Sequence, residues 1–166
     1  MKIRIWVGNM AGVMCLAAAL CVAGCGHFKA VSPMEQDMLY AVAGGHLAQV
    51  QELNKQGANL EAADAQGRRA LHVAALGGHQ ELAAWLVKQK VALNPRDREG
   101  NTPLHLAAQA GHVQFCRWLI ASGGDPTLKN NQKLTPHELA LRGGHEETAA
   151  ACLYQSSSNY TLLPGE

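Results

Sequence analysis

Aromatic residues are scarce in this chain, 5% of 166 positions, while 48% of its residues are hydrophobic. A core here must therefore be packed from Leu, Ala and Val rather than from rings. An excess of charge of either sign is also missing. Fourteen Lys and Arg face thirteen Asp and Glu, a formal charge of +1, which gives no general pull toward nucleic acid. Cysteine is short where a small scaffold would need it. Three of the five, Cys15, Cys21 and Cys25, fall in the first 25 residues, and Cys116 and Cys152 alone exclude a disulfide framework for the body. No nucleophile–base constellation and no close-spaced metal-ligand motif stands out, so an enzyme, a cofactor and a metal site are not expected. The length allows one domain, or one domain with appendages.

What is present begins with an address. The stretch MKIRIWVGNMAGVMCLAAALCVAGCG has a basic end at Lys2 and Arg4, an apolar run from about Ile5 to Leu20, and small residues after it. Val22-Ala23-Gly24-Cys25 resembles the bacterial lipobox, in which the Cys is acylated and becomes the first residue after cleavage. Cys15 and Cys21 follow Met14 and Leu20, too large for that cleavage pocket, so Cys25 is the expected lipidation site. An uncleaved membrane helix is the other reading of the same segment. Removal of residues 1–24 would take away Lys2 and Arg4 and leave 12 basic residues against 13 acidic, a charge of −1. Gly26, where such lipoproteins often carry an Asp for inner-membrane retention, implies an outer-membrane anchor facing the periplasm. The tether (25–33) is short. At ~3.4 Å per residue, Gly26–Ser32 reaches at most some 25 Å from the bilayer.

The body repeats. His46, His79, His112 and His145 are spaced by 33 residues, each preceded by Gly45, Gly78, Gly111 or Gly144. Asp64, Asp97 and Asn130 keep the same interval, and so do Gly67, Gly100 and Lys133. Ala41, Ala74, Ala107 and Ala140 keep it too. Thr-Pro-Leu-His, then Ala-Ala-x-x-Gly-His and a Leu-rich stretch, resembles the ankyrin repeat, most fully over Gly100–Gln132. The resemblance implies an all-α solenoid of four helix-turn-helix units with β-turn fingers. The units run approximately over 34–66, 67–99, 100–132 and 133–154, ahead of a loose tail at 155–166.

The motif residues have physical roles. Thr102 is expected to accept an orphan N–H at the start of a helix, and Pro103 to occupy the first turn, where no N–H is needed. His105 stands where a capping box carries Glu, and in the family its ring bonds back to the Thr backbone. His72 holds the same place one unit earlier. Gly111 permits the left-handed geometry that ends a helix. Asp97-Arg98-Glu99-Gly100 is a β-turn pattern. The end units deviate, as solenoid caps must to present a polar outer side. The first opens at Ser32-Pro33-Met34-Glu35, which starts its helix one turn early. The fourth has Thr135-Pro136-His137-Glu138, a full Thr-x-x-Glu box.

Eight histidines invite a metal. Units stacked about 10 Å apart cannot bring equivalent residues within about 2 Å of one ion, so the Gly-His series follows from the repeat alone. His112 and Cys116 lie four apart, but Cys116 fills the slot of Val50, Ala83 and Ala149, an ordinary core place. Cys152 is equivalent to Leu119, so the two cysteines are offset by a turn as well as by a unit, and two buried free thiols are expected. Trp85 and Trp118 share a slot and are expected to pack as neighbours.

Arg68, Arg69, Arg96, Arg98, Asn101, Gln109 and Arg142 cluster at turn tips and first-helix ends. They are the candidates for partner binding, with a solvated charged surface as the alternative. Arg69 is the anomaly: it stands where Thr caps the helix of the next unit, has no acceptor oxygen, and is followed by Ala70 instead of Pro. The resemblance implies a non-catalytic, monomeric, membrane-anchored module that holds one protein partner and no nucleic acid. An adaptor and an immunity protein against a secreted toxic enzyme both suit that size and anchor. An envelope structural or stress-protection lipoprotein is the other class.

Overall fold

The computed structural model describes residues 32–153. Cys25, the leader 1–24, most of the tether and the tail 155–166 lie outside the described residues. Among the described residues there are eight helices and no strand, in four pairs: α1 Pro33–Ala43 with α2 Leu47–Lys55, α3 Ala70–Gly77 with α4 Gln80–Lys88, α5 Pro103–Gln109 with α6 Val113–Ala121, and α7 Pro136–Arg142 with α8 Glu146–Leu153. None of these is long and apolar enough to cross a membrane.

The first helices stack in one layer, α1 on α3 on α5 on α7, and α6 packs on α8 in the second layer. Small residues set the close approach. Ala41, Ala74, Ala107 and Ala140 are all buried at the contact between units, and Leu71, Leu82, Leu86, Leu104, Phe115 and Leu119 fill the space around them. That is the core without rings that the composition requires. Trp118 meets Phe115 on its own helix, edge to face with centroids 5.4 Å apart. Trp85 and Trp118 are both half-buried against the core, with no ring contact between them among the described residues.

Both terminal capping boxes form. The Ser32 backbone N–H donates to Glu35 Oε2 at 2.9 Å and the Ser32 hydroxyl accepts from the Glu35 N–H at 3.3 Å. The helix that follows begins four residues, one turn, ahead of the positions equivalent to Ala70 and Pro103. At the other end Thr135 N–H donates to Glu138 Oε2 at 2.7 Å, and the Thr135 hydroxyl accepts from Glu138 N–H at 3.3 Å. The bonds from Thr135 hold the Glu138 carboxyl below its usual range.

The internal units use histidine instead. His105 Nδ1 accepts from the Thr102 backbone N–H at 3.2 Å, and its Nε2 lies 3.0 Å from the Leu134 carbonyl in the next unit. A carbonyl cannot donate, so Nε2 carries the proton and Nδ1 is the acceptor. The Thr102 hydroxyl, 2.8 Å from Nδ1, therefore donates to the ring. The pair keeps the capping-box arrangement, the Thr102 oxygen facing the His105 N–H and the ring facing the Thr102 N–H. His72 repeats the arrangement, accepting from Arg69 N–H at 3.1 Å and donating to the Asn101 carbonyl at 3.0 Å. Each ring thus joins a helix start to the following unit, and each such bond contributes about 1 kcal/mol net. Burial lowers the pKa of both rings below the ordinary histidine value.

The Gly-His series serves the other end of the first helices. His79 Nε2 reaches back 36 residues to the Ala43 carbonyl at 2.9 Å, and His112 Nε2 reaches the Leu76 carbonyl at 3.0 Å. These are unpaired helix-end carbonyls, so the histidines close the neighbouring unit. Gly111 has φ +78°, and a Cβ there would stand 2.7 Å from His145 Nδ1. Glycine is required at that place twice over, by the backbone and by the ring above it.

Candidate protein-binding surface

Fingers project between the helix pairs, and each is tied by one acidic or amide side chain. Asp64 Oδ1 accepts from the Gln66 and Arg68 N–H groups at 2.9 and 2.8 Å, and Asp97 Oδ1 accepts from Glu99 and Asn101 at the same distances. Asn130 Oδ1 does the same for Gln132 and Leu134, at 3.0 Å each. Neighbouring fingers are zipped by backbone. Arg98 N–H donates to the Gln66 carbonyl at 3.0 Å and Asn131 N–H to the Glu99 carbonyl at 2.9 Å. The fourth residue of each turn has positive φ: Gly67 at 78°, Gly100 at 76° and Lys133 at 62°.

Most of the nominated arginines are engaged inside this framework. Arg68 Nε bonds Asp64 Oδ2 at 2.8 Å. Arg69 pairs with Glu61, whose other oxygen accepts the Ala92 N–H at 2.9 Å. Asn94, equivalent to Glu61, accepts Asp125 N–H at 3.0 Å in the following unit, so the Glu61 bond is part of the repeat. The missing cap at Arg69 is therefore compensated: the side chain anchors on a loop-bridging carboxylate. Arg96 spans two fingers, donating to the Lys129 and Gly100 carbonyls at 2.8 and 3.3 Å. Arg98 lies along Gly67 of the preceding finger. Asn101, 4% exposed, is interior. Its side-chain Oδ1 accepts from Asn130 Nδ2 at 2.9 Å, and its Nδ2 donates to Glu99 Oε2 at 3.1 Å. Charge pairing at Arg68 and Arg69 also offsets the basic character expected of the finger bases.

Gln109 and Arg142 stand differently. They belong to the row Ala43, Leu76, Gln109, Arg142, one residue per first helix at the 33-residue interval, and all four are exposed. In the preceding row Val42, Ala75 and Ala108 are fully buried, while Leu141, its member in the last described unit, is 50% exposed. A cavity of about 260 Å³ is lined by Gln109, Leu139, Arg142 and Gly143 on the helix side and by Glu99, Asn101, Asn130 and Gln132 on the finger side. A second, of about 310 Å³, lies between Leu39, Tyr40, Ala43 and Val73 and the finger residues Asp64, Gln66 and Arg68. Ligand pockets usually span about 300–1,000 Å³; the first hollow falls below that range and the second only just enters it, so both are of a size to take single side chains of a protein. Tyr40, 75% exposed, and Leu76, 41% exposed, were not nominated from sequence. Both occupy groove-facing slots of the 33-residue register, which is the signal that locates them.

A stack of helix pairs joined by zipped turns, with a groove between first helices and fingers, defines a helical-repeat binding scaffold. The family model for ankyrin repeats in three copies matches residues 38–130 and 96–163. The chain belongs to the ankyrin-repeat family, whose units typically form non-catalytic protein-interaction modules. No curated protein matches the chain.

Proposed function

We propose that the chain is a lipid-anchored periplasmic protein that holds one protein partner against its groove, as an adaptor or as an immunity protein against a secreted toxic enzyme. The observation that carries the binding role is the exposed row Ala43, Leu76, Gln109, Arg142. Slots that build the fold keep their chemistry from unit to unit; this row changes from methyl to isobutyl to amide to guanidinium. A solenoid gains nothing from that variation, whereas a partner lying across the units would read all four side chains. Tyr40 adds an exposed ring beside the row, and aromatic and Arg side chains are the residues that most often dominate interface energetics.

The anchor rests on Val22-Ala23-Gly24-Cys25. Mass spectrometry of the processed N-terminus should find acyl chains on Cys25, and Cys25→Ser should leave the membrane fraction. A Cys25→Ser protein that still sediments with membranes would favour the uncleaved helix. For binding, the protein is used to capture material from envelope and secreted fractions, beside a Tyr40→Ala/Arg142→Glu variant. One stoichiometric protein lost by the variant supports the proposal. Many weak partners would make it a structural component of the envelope, and no partner together with hydrolytic activity would make it an enzyme.

A further inference from the structure

The two cavities of the groove are one slot of the repeat, two periods apart. Ala43, Gln66 and Val73 line the hollow at the first unit; Gln109, Gln132 and Leu139, each two 33-residue periods further on, line the other. Their chemistry differs. In the hollow at the first unit the charges of Arg68 and Asp64 already pair at 2.8 Å, so Leu39, Val73 and the exposed Tyr40 ring offer an apolar contact. The other hollow holds a cation and an anion that do not pair. Arg142 and Glu99 line it together, yet the ion pairs of the described residues are Lys55–Glu52, Arg68–Asp64, Arg69–Glu61 and Arg117–Glu147. Glu99 Oε2 accepts from Asn101 Nδ2 at 3.1 Å, while its Oε1 accepts from no group among the described residues. Arg142 makes one long contact, Nη1 to Gln132 Oε1 at 3.5 Å.

We propose that the hollow between Arg142 and Glu99 recognises a carboxamide side chain, Gln or Asn, on an extended segment of the partner. This deepens, and rests on, the reading of the groove as the partner's seat. An entering carboxylate would meet Glu99, an ammonium would meet Arg142, and an apolar group would leave both charges desolvated and unpaired. A carboxamide satisfies both at once: its oxygen accepts from the guanidinium and its NH₂ donates to the carboxylate. Both bonds are charge-assisted, the stronger kind. The apolar hollow beside Tyr40 supplies the second element of the motif. Packed helices lie about 10 Å apart, so two units set the hollows about 20 Å apart. An extended chain advances about 3.3 Å per residue and turns successive side chains to opposite faces. About six residues cover that distance, and an even count points both side chains into the groove. The partner segment thus carries a Leu-like or aromatic side chain and a carboxamide six positions apart.

The probes are fluorescein-labelled nine-residue peptides of alternating Ser and Thr, with Leu second and Gln eighth, or Gln second and Leu eighth. Fluorescence anisotropy with the full chain reads their binding. One of the two orders is expected to bind, and replacing its Gln by Glu or Lys should weaken binding about tenfold. Moving the Gln one place nearer to the Leu should weaken it as much, because the side chain then faces away from the groove. Glu99→Gln, which keeps an acceptor for Asn101, should reverse the preference between the Gln and Glu peptides. A Glu peptide bound by the unaltered chain as tightly as the Gln peptide would overturn the proposal, and so would binding indifferent to the spacing. Failure of the groove itself reads differently. No peptide bound at about 1 mM, with the captured partner still lost from Tyr40→Ala/Arg142→Glu, overturns the carboxamide site and leaves the groove standing. A captured partner that this variant retains removes the groove, and the proposal with it.

Discussion

The His105 ring donates to the Leu134 carbonyl at 3.0 Å while accepting from the Thr102 N–H at 3.2 Å, so one buried imidazole holds a helix start and the next finger together. Replacing it with Ala strands both backbone groups in an interior where the residue is 0% exposed. The loss should be about 2–4 kcal/mol, combining unpaired polar groups with a cavity. Urea denaturation followed at Trp85 and Trp118 measures it. Because unit and interface terms add in a solenoid, both tryptophans should report the loss together. A variant of unchanged stability would show that the ring is not a structural link.

The same geometry fixes a pH dependence. Burial holds His72 and His105 below 6.5, the ordinary value they regain on unfolding. In the native state a proton on Nδ1 would face a backbone N–H. The unfolded chain therefore binds more protons as pH falls past 6.5, and stability drops. The contribution is complete above about pH 7 and declines through pH 6 and 5 toward the depressed native values. Denaturation midpoints at pH 7.5, 6 and 5 should fall in that order. If the midpoint in a His72→Gln/His105→Gln protein falls equally steeply, other groups carry the effect.

Lys90 and Lys133 have φ of 63° and 62° at places where the other units have Gly57, Gly67, Gly100 and Gly123, all at positive φ. The left-handed region costs an L-residue roughly 1–2 kcal/mol, and glycine loses part of that advantage through its more flexible unfolded state. Lys90→Gly and Lys133→Gly should each gain about 0.5–1 kcal/mol, seen as a higher denaturant midpoint at constant slope. Both side chains are exposed, so little packing is lost. A lower midpoint for both would mean that the lysines stabilise the fold by contacts that outweigh backbone strain.

The fold was legible because its period is carried by residues with one job each. Gly-His marks a helix end and the carbonyl one unit back; Asp or Asn marks the finger. The binding surface was less so. Arg68 could be paired with Asp64 from their four-residue spacing within one turn, but the Arg69–Glu61 pair needs the loop that folds between them. The Thr102 role depended on the tautomer of His105, which only its bond to Leu134 decides. Cys116 and Cys152 are both free and buried, as their core slots in the register led one to expect. Gln109 and Arg142 were found by exposure at the ends of first helices, whereas Tyr40 and Leu76 look like core residues in any single unit.

Arg69 and Arg142 separate framework from binding. Arg69 offers the α3 start no acceptor and pairs instead with Glu61, both side chains being 39% and 38% exposed. Such half-exposed pairs contribute about 0–1 kcal/mol. Arg69→Thr/Ala70→Pro removes the pair but supplies Thr for His72 to bond and a preorganised first turn, which together contribute about 1 kcal/mol. The double variant should thus be equal to or slightly more stable than the parent, and Glu61 keeps its bond to Ala92. Partner capture should persist, because the Arg69 side chain is turned to the loop rather than the groove. Arg142→Glu should do the opposite. Its one described bond, to Gln132 at 3.5 Å, is too long to matter for stability, so the melting temperature should stay within about 2 °C while the partner is lost. Thermal scans and capture on the same four proteins, parent, double variant, Arg142→Glu and Gln109→Ala, check both arms. Loss of binding in the Arg69 variant with retention in Arg142→Glu would move the contact surface from the groove to the finger bases.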